Sequence, residues 1–391
     1  MRLLKHCSQL SVILSVCFMV AALPARSDSF ETYQKNPTLE NAAEVFVEGM
    51  NNRDIPTLNK IVDVDGLLDR ALNGLGDDQT MRDVKRGAKQ GIEANMYNNW
   101  FRVLNETDGV VDFRRLINVD GQKRALVLMD MGESGMNFLE LIVNPKTRKV
   151  EDIYVHTTGE TLSQSMTKVF GMMMPNSSNF LKRILDRRDI DNSIVNSFRD
   201  INNYNRQGQY DKSYRKLKTL PQDVQDTRVI SLMKVFMAQS LGDEVYRKEL
   251  DQLDKLHGKD PEMFFILMDH YFFTEQYDRG ISGLKMLNKR FGEDGAIENL
   301  ISVYQFLKKD YTQALKHIDK AIAMEPEKLD HYWFKADVLN GKGDFKGTLA
   351  TFDKIESMAD IYVDPVELRK LEGYEALVAS DEFKRWAAKR E

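Results

Sequence analysis

Three segments in the second half of the chain align at a fixed interval of 34 residues. They begin at Tyr277, Tyr311 and Phe345, so an aromatic side chain recurs just after each turn signal. The small and apolar positions of the alignment are Gly280, Ala314 and Thr348, then Leu284, Ile318 and Phe352, then Leu287, Ala321 and Ile355. A repeat of this length predicts pairs of short antiparallel helices that bury their apolar stripes only by stacking on neighbouring pairs. The sequence therefore predicts an all-α solenoid in this half.

The pattern resembles the tetratricopeptide repeat (TPR) family, although the tryptophan that the family carries in its first helix is missing. The resemblance is marked in the last three repeats and extends backwards in a degenerate form. The five predicted repeats are 194–226, 227–260, 261–294, 295–328 and 329–362. Residues 363–391 are predicted to form helices that cap the last repeat. The resemblance implies a scaffold whose first helices line a groove for a protein or peptide partner.

The groove-facing positions of the family predict which residues bind the partner. Applied to this chain, the resemblance implies that they include Phe265, Asp269, Phe272, Asn299, Phe306, Trp333 and Asp337. Aromatic side chains mixed with Asn and Asp suit a peptide or a helix. Trp333 is the expected anchor, because a tryptophan there is larger than packing between repeats requires. The alternative is that Trp333 packs against the C-terminal cap.

The first half of the chain has a different pattern. Three helices are predicted, of which the second runs from Pro56 to Leu72 and the third from Val84 to Val103. Apolar residues then recur at every second position, which is typical of strands, and Asp120-Gly121 is a strong hairpin turn signal. Together they predict a meander of four antiparallel strands. This order resembles the nuclear-transport-factor-like or cystatin-like α+β cone. We predict an α+β domain over 28–170 and a linker with a lead helix over 171–193.

Residues 1–27 have the composition of a secretory signal peptide. A basic start is followed by an apolar run at 10–23 and by Ala25-Arg26-Ser27, which fits a cleavage site. The run is short for a bilayer, so we expect no stable membrane span after its removal; retention as an anchor is the alternative. Both cysteines, Cys7 and Cys17, lie in this segment, which excludes disulfides from the mature chain. A cysteine-free exported chain fits a Gram-negative periplasm.

The sequence offers no catalytic motif. Hydrolytic, metal-binding and phosphate-binding patterns are missing, and the histidines follow no ligand spacing. We therefore predict no catalytic, cofactor-binding or metal-binding residues. A net charge of -5 opposes nucleic-acid binding, which depends on clustered Lys and Arg. The favoured function is an exported, non-enzymatic scaffold for a protein or peptide partner. The alternative is small-molecule binding or enzymatic activity in the N-terminal cone, with the repeats as a docking platform.

Overall fold

The computed structural model describes residues 29–73, 79–132, 135–173 and 190–390, together with Lys182 and Leu185. The chain divides into two compact units, with the boundary between His270 and Tyr271. The predicted signal peptide lies outside the described residues, as does most of the predicted linker. Among the helices that the structure describes, none has the length and apolar character needed to cross a bilayer.

The described part of the first unit has six helices before its sheet, where three were predicted. They are α1 (Ser29–Lys35), α2 (Leu39–Asn51), α3 (Ile55–Ile61), α4 (Val64–Leu72), α5 (Gln79–Asn95) and α6 (Asn98–Glu106). The predicted second helix is broken at Asp63, whose side chain accepts a hydrogen bond from the backbone N–H of Gly66 and so begins α4. Its apolar period continues across this cap, which is why the sequence pattern merged two helices into one.

A five-stranded antiparallel sheet follows, one strand more than predicted. Its strands, in spatial as well as chain order, are β1 (Val110–Val119), β2 (Gln122–Asp130), β3 (Met136–Val143), β4 (Val150–Val155) and β5 (Glu160–Thr161). The predicted turn joins β1 to β2, with φ of 51° at Asp120 and 81° at Gly121, which a two-residue hairpin turn requires. The fifth strand has two residues, too few to give a periodic signal.

One face of this sheet carries the apolar core of the α+β region. Val127, Leu141 and Ile153 belong to the same buried cluster as Phe46 of α2 and Tyr97, which precedes α6. Alternate residues of a strand point to opposite faces, so this cluster accounts for one face only. The sheet is therefore packed on this side by the helices that precede it.

Helices make up the rest of the first unit among the described residues. They are α7 (Leu162–Met173), α8 (Asn192–Arg206), α9 (Tyr210–Leu217), α10 (Gln222–Gln225), α11 (Arg228–Ala238), α12 (Asp243–His257) and, after a 3₁₀ turn at Pro261–Met263, α13 (Phe264–Phe273). The unit boundary falls inside α13. The boundary that the structure shows therefore lies within the predicted repeat at 261–294.

The second unit is all-α over its described residues. It contains α14 (Tyr277–Phe291), α15 (Gly295–Leu307), α16 (Tyr311–Met324), α17 (Leu329–Lys342), α18 (Phe345–Met358), α19 (Pro365–Leu368), α20 (Glu375–Ala379) and α21 (Asp381–Ala387). The three aligned aromatics, Tyr277, Tyr311 and Phe345, are the first residues of α14, α16 and α18. All of the aligned small and apolar positions are buried. An all-helical C-terminal part is therefore confirmed, and its helices begin at the predicted interval.

Replacement of Ala314 should test the close approach of α15 and α16. Ala314 is fully buried, and its backbone oxygen accepts a hydrogen bond of 2.7 Å from the Ser302 hydroxyl on α15. We expect Ala314→Leu to lower the free energy of unfolding by about 1–3 kcal/mol, because the larger side chain overpacks this contact. Thr312→Leu is the control, since Thr312 is exposed. Equal shifts of the two melting temperatures would contradict the predicted register.

Candidate functional site

Two of the seven predicted partner-binding residues are buried inside the first unit. Phe265 packs edge-to-face on Phe138 of β3, with ring centroids 6.0 Å apart, and its ring also lies 6.2 Å from that of His156. Asp269 is 2% exposed and accepts a hydrogen bond of 3.0 Å from the Tyr246 hydroxyl. Neither side chain offers an open surface, which corrects the prediction for these two residues.

The burial of Phe265 follows from the second face of the sheet. All eight residues of β3 are buried, so something covers the face opposite the apolar core. That face includes Glu140, which lies within 2.8 Å of Arg124 and 3.0 Å of His156. Arg228 of α11 also donates a hydrogen bond of 2.8 Å to the backbone oxygen of Gly159. Helices of the repeat region thus pack on the α+β region within one unit. The sequence signal for this was the pair Phe138 and Ile142, apolar residues on the same face of β3 as Glu140.

Three further predicted residues, Phe272, Asn299 and Phe306, are partly exposed in the second unit. The ring of Phe272 lies 5.5 Å from that of Phe273. Phe306 packs on Phe334, at a centroid distance of 5.7 Å, and so contributes to contact between successive helix pairs. The side-chain oxygen of Asn299 is buried and has no hydrogen-bond partner. An acceptor in that state costs free energy unless a bound molecule supplies a donor.

The remaining two predicted residues, Trp333 and Asp337, lie on α17. Trp333 is partly exposed, and its ring lies 5.8 Å from that of Phe352 in the cluster that joins the last helix pair to the C-terminal helices. The Tyr374 hydroxyl donates a hydrogen bond of 2.5 Å to Asp337. Burial of the Asp337 carboxyl raises its pKa to about 7, although the hydrogen bond from Tyr374 acts in the opposite direction. Both residues therefore contact the end of the chain, and Trp333 also keeps a partly exposed surface.

The carboxylate of Glu249 is buried in the first unit and contacts side chains of α9, of the residue that follows α9, and of α11. Glu249 of α12 accepts hydrogen bonds from the Tyr214 hydroxyl at 2.6 Å and from Lys218 at 3.2 Å, and it lies 3.6 Å from the ammonium group of Lys234. Burial alone would raise the pKa of Glu249, but these partners outweigh burial and hold it below its usual value. Burial lowers the pKa of Lys234. The group links α9, α11 and α12, which indicates a structural role.

A second buried carboxylate has the same character in the second unit. Glu298 of α15 lies 2.8 Å from the Asn288 amide nitrogen, 2.5 Å from His317 and 3.4 Å from Lys320. Burial alone would raise the pKa of Glu298, but its hydrogen bond with His317 and the positive charges hold it below its usual value. No group of three or more potential metal ligands occurs in the part of the chain that the structure describes. These contacts connect neighbouring helices, which indicates a structural role.

Comparison with known proteins gives no family assignment. No protein-family model matches the chain, and no curated protein matches it. MamA from Desulfovibrio magneticus RS-1 is 15% identical with a TM-score of 0.33, over 41% of this chain and 92% of that one. A second MamA crystal structure gives 15% identity and a TM-score of 0.32, over 49% and 99%. Yeast Tom70 gives 13% identity and a TM-score of 0.29, over 92% and 72%. These scores are too low to establish a shared fold.

Proposed function

We propose that this protein is an exported, non-enzymatic scaffold that binds a protein or peptide partner through TPR-like repeats. The observation that carries the proposal is the coincidence of the 34-residue register with the structure. Tyr277, Tyr311 and Phe345 each begin a helix. The small and apolar positions that align within these three helices are buried. Helix pairs that stack in this way leave their first helices to form an extended binding surface. The surface is proposed for the second unit, since Phe265 and Asp269 are buried in the first.

The side chains available there suit an extended or helical peptide. Trp333 offers an aromatic surface on α17, and Phe272 is also partly exposed. Asn299 offers an acceptor that has no partner of its own. Aromatic anchors usually dominate the energy of protein interfaces, and neighbouring polar groups set the orientation of the bound chain. Trp333 is therefore the proposed anchor.

Export to the periplasm is proposed from the sequence of residues 1–27. A basic start, a short apolar run and small residues before Asp28 support cleavage at this point. The test is the mass of the protein recovered from the periplasmic fraction. A mature chain beginning near Asp28 would support export with cleavage, and an intact Met1 in the membrane fraction would support the retained anchor.

The partner-binding role of Trp333 can be tested by substitution. We expect Trp333→Ala to weaken binding by roughly 2 kcal/mol, because it removes the aromatic anchor. The tagged full chain is incubated with the exported fraction, captured proteins are quantified by mass spectrometry, and binding is then titrated with the purified candidate. Tyr210→Ala is the control, since this tyrosine is 50% exposed in the first unit.

The same variant distinguishes the two roles open to Trp333. If it packs mainly against the C-terminal helices, Trp333→Ala will lower the melting temperature by several degrees, as truncation of packed aromatics does. A variant that loses stability but still binds the partner would contradict the proposed anchor. Loss of binding with little change in the melting temperature would support it.

A small-molecule site in the α+β region is the second candidate function. The observation that favours it is the Tyr97 hydroxyl, which is buried and has no hydrogen-bond partner. Burial raises the pKa of Tyr97, so the group stays a neutral donor. Buried hydroxyls are usually satisfied by protein, water or ligand. Native mass spectrometry of the full chain tests the candidate, since a bound small molecule would add a defined mass that denaturation removes.

A further inference from the structure

The last stretch of the chain, residues 363–390, makes two hydrogen bonds with side chains on α17. We call this stretch the C-terminal segment. The Tyr374 hydroxyl donates to the Asp337 carboxylate at 2.5 Å, and the Asn340 amide donates to the backbone oxygen of Gly373 at 2.8 Å. Gly373 has φ of 82°, a left-handed conformation that glycine adopts readily. The turn at Gly373 thus places the Tyr374 hydroxyl against Asp337 and the Gly373 carbonyl against Asn340.

Asp337 is one of the predicted groove-facing residues, and Asn340 lies three residues later, on the same face of α17. Trp333 lies one turn before Asp337, so the three residues form one stripe along the helix. The C-terminal segment therefore forms hydrogen bonds with two of the three residues in the stripe that holds the proposed anchor. A partner that followed this stripe would meet Gly373 and Tyr374 first.

We propose that the C-terminal segment is an autoinhibitory cover, in which Gly373 and Tyr374 occupy the end of the partner groove and must leave Asp337 and Asn340 before a partner can bind along the stripe to Trp333. The proposal rests on the proposed function and adds a means of regulation to it. A partner that replaces Gly373 and Tyr374 on the stripe would offer a hydroxyl donor next to a backbone carbonyl.

The segment has a second attachment, on α18, that would keep it tethered when the first one opens. The Trp386 indole donates to Asp353 at 2.8 Å, and the Arg390 guanidinium binds Glu356 at 3.0 Å. Phe383 and Trp386 are also buried in the cluster that contains Phe352. Tyr374 belongs to the same cluster, with its ring 6.4 Å from that of Phe352, so opening of the contact with α17 also separates this ring from α18 while Phe383 and Trp386 can stay in place.

The contact with α17 contains two unfavourable features. The side-chain oxygen of Asn340 is buried and has no hydrogen-bond partner while the segment is in place. The carboxyl group of Asp337 is also buried, which raises its pKa from the usual 3.8 to about 7. A proton on Asp337 therefore favours the closed contact at acid pH, and this contribution is lost as the pH rises toward and through 7. Opening lets both groups meet water.

The charged groups around this contact form pairs of their own. Glu375 accepts a hydrogen bond of 3.1 Å from the backbone N–H of Gly373 within the segment. Asp353 and Glu356 of α18 bind Arg390, and Lys335 of α17 pairs with Asp319 at 2.7 Å. In the described part of the chain, burial and the Tyr374 hydroxyl are the two influences on the pKa of Asp337. Asp337 is therefore the group whose titration should control the cover.

Hydrogen exchange of the full chain tests the cover without a partner. We expect amides of 364–380, corrected for intrinsic rates, to open about tenfold more often at about pH 8 than at about pH 5.5. Asp337→Asn should abolish this dependence, because the amide can accept from Tyr374 but does not titrate. Tyr374→Phe should open the segment about tenfold at about pH 5.5. Exchange in α14 to α16 is the internal control.

The outcomes separate the cover from the proposed function. If Tyr374→Phe and Asp337→Asn leave exchange in 364–380 like that of the wild type at both pH values, the cover does not exist. If the segment opens in Tyr374→Phe but capture of the partner does not increase, the cover is not inhibitory, and Trp333→Ala still tests the groove independently. Increased capture by Tyr374→Phe, lost again when Trp333→Ala is added, supports both proposals.

Discussion

We expect Glu249→Ala to lower the free energy of unfolding by about 3–5 kcal/mol, the loss typical of breaking a buried ion pair. The reason is Lys234, which is 2% exposed and would remain buried without the carboxylate that lies 3.6 Å away. The Tyr214 hydroxyl would lose its acceptor as well. The loss should shrink at alkaline pH, because burial has already lowered the pKa of Lys234 and its neutral form is easier to bury. Urea unfolding followed across pH measures both effects.

Removal of the other partner should have a much smaller effect. In Lys234→Met, Glu249 keeps the Tyr214 hydroxyl and Lys218, and the buried cation is replaced by an apolar side chain of similar length. The double variant should therefore recover about half or more of the loss of Glu249→Ala, since no unpaired charge is left inside. Losses that simply add in the double variant would show that the two residues act independently.

Gly280→Ala should lower the free energy of unfolding by about 3 kcal/mol, the upper end of the range for overpacking. A Cβ atom at Gly280 would lie 2.5 Å from Cε1 and 2.6 Å from Cζ of Tyr304, whose side chain is fully buried on α15. The ring cannot swing into solvent, so α14 and α15 must separate. Trp333 and Trp386 lie in the same unit and report its unfolding by fluorescence.

Gly87→Ala is the matched control for this substitution. Gly87 lies inside α5, is exposed, and a Cβ atom there would meet nothing within 4 Å. Alanine should stabilise the helix at that position by about 0.5–1 kcal/mol, because it loses less backbone freedom on folding. The two variants are thus expected to differ in sign. A destabilised Gly87→Ala, or an unaffected Gly280→Ala, would contradict the packing described.

The sequence predicted those parts of the fold that depend on local rules. Tyr277, Tyr311 and Phe345 were recognisable because a repeat copies its turn and its helix start at one interval, and the Asp120-Gly121 turn has a strong local preference. The separation of α3 from α4 depends on the Asp63 cap, which interrupts the helix without interrupting its apolar period. The pairing that makes β5 joins Thr161 to Tyr154 and Glu160 to Val155, and a strand of two residues is too short to show an alternating pattern.

Two of the predicted site residues are buried because tertiary contacts decide their exposure. Phe265 and Asp269 occupy groove positions by register, but register specifies only the face of a helix and not what lies on it. Phe138 covers Phe265, and the two are more than a hundred positions apart in the sequence. The hydrogen bond between Asp337 and Tyr374 was equally invisible, because it depends on the path of the C-terminal segment. The register placed Trp333 on the groove face of α17, but it could not show that the cluster with the C-terminal helices covers part of its ring.

The packing of α13 on β3 determines how this protein can be divided in the laboratory. A fragment that begins near α8 would carry Phe265 without Phe138, and the complementary fragment would carry a sheet with one bare aromatic face. Exposed apolar faces of this kind bind other proteins indiscriminately and promote aggregation. Proteins captured by the isolated repeats would then include false partners attracted by the cut surface. Binding studies should therefore keep residues 29–270 together.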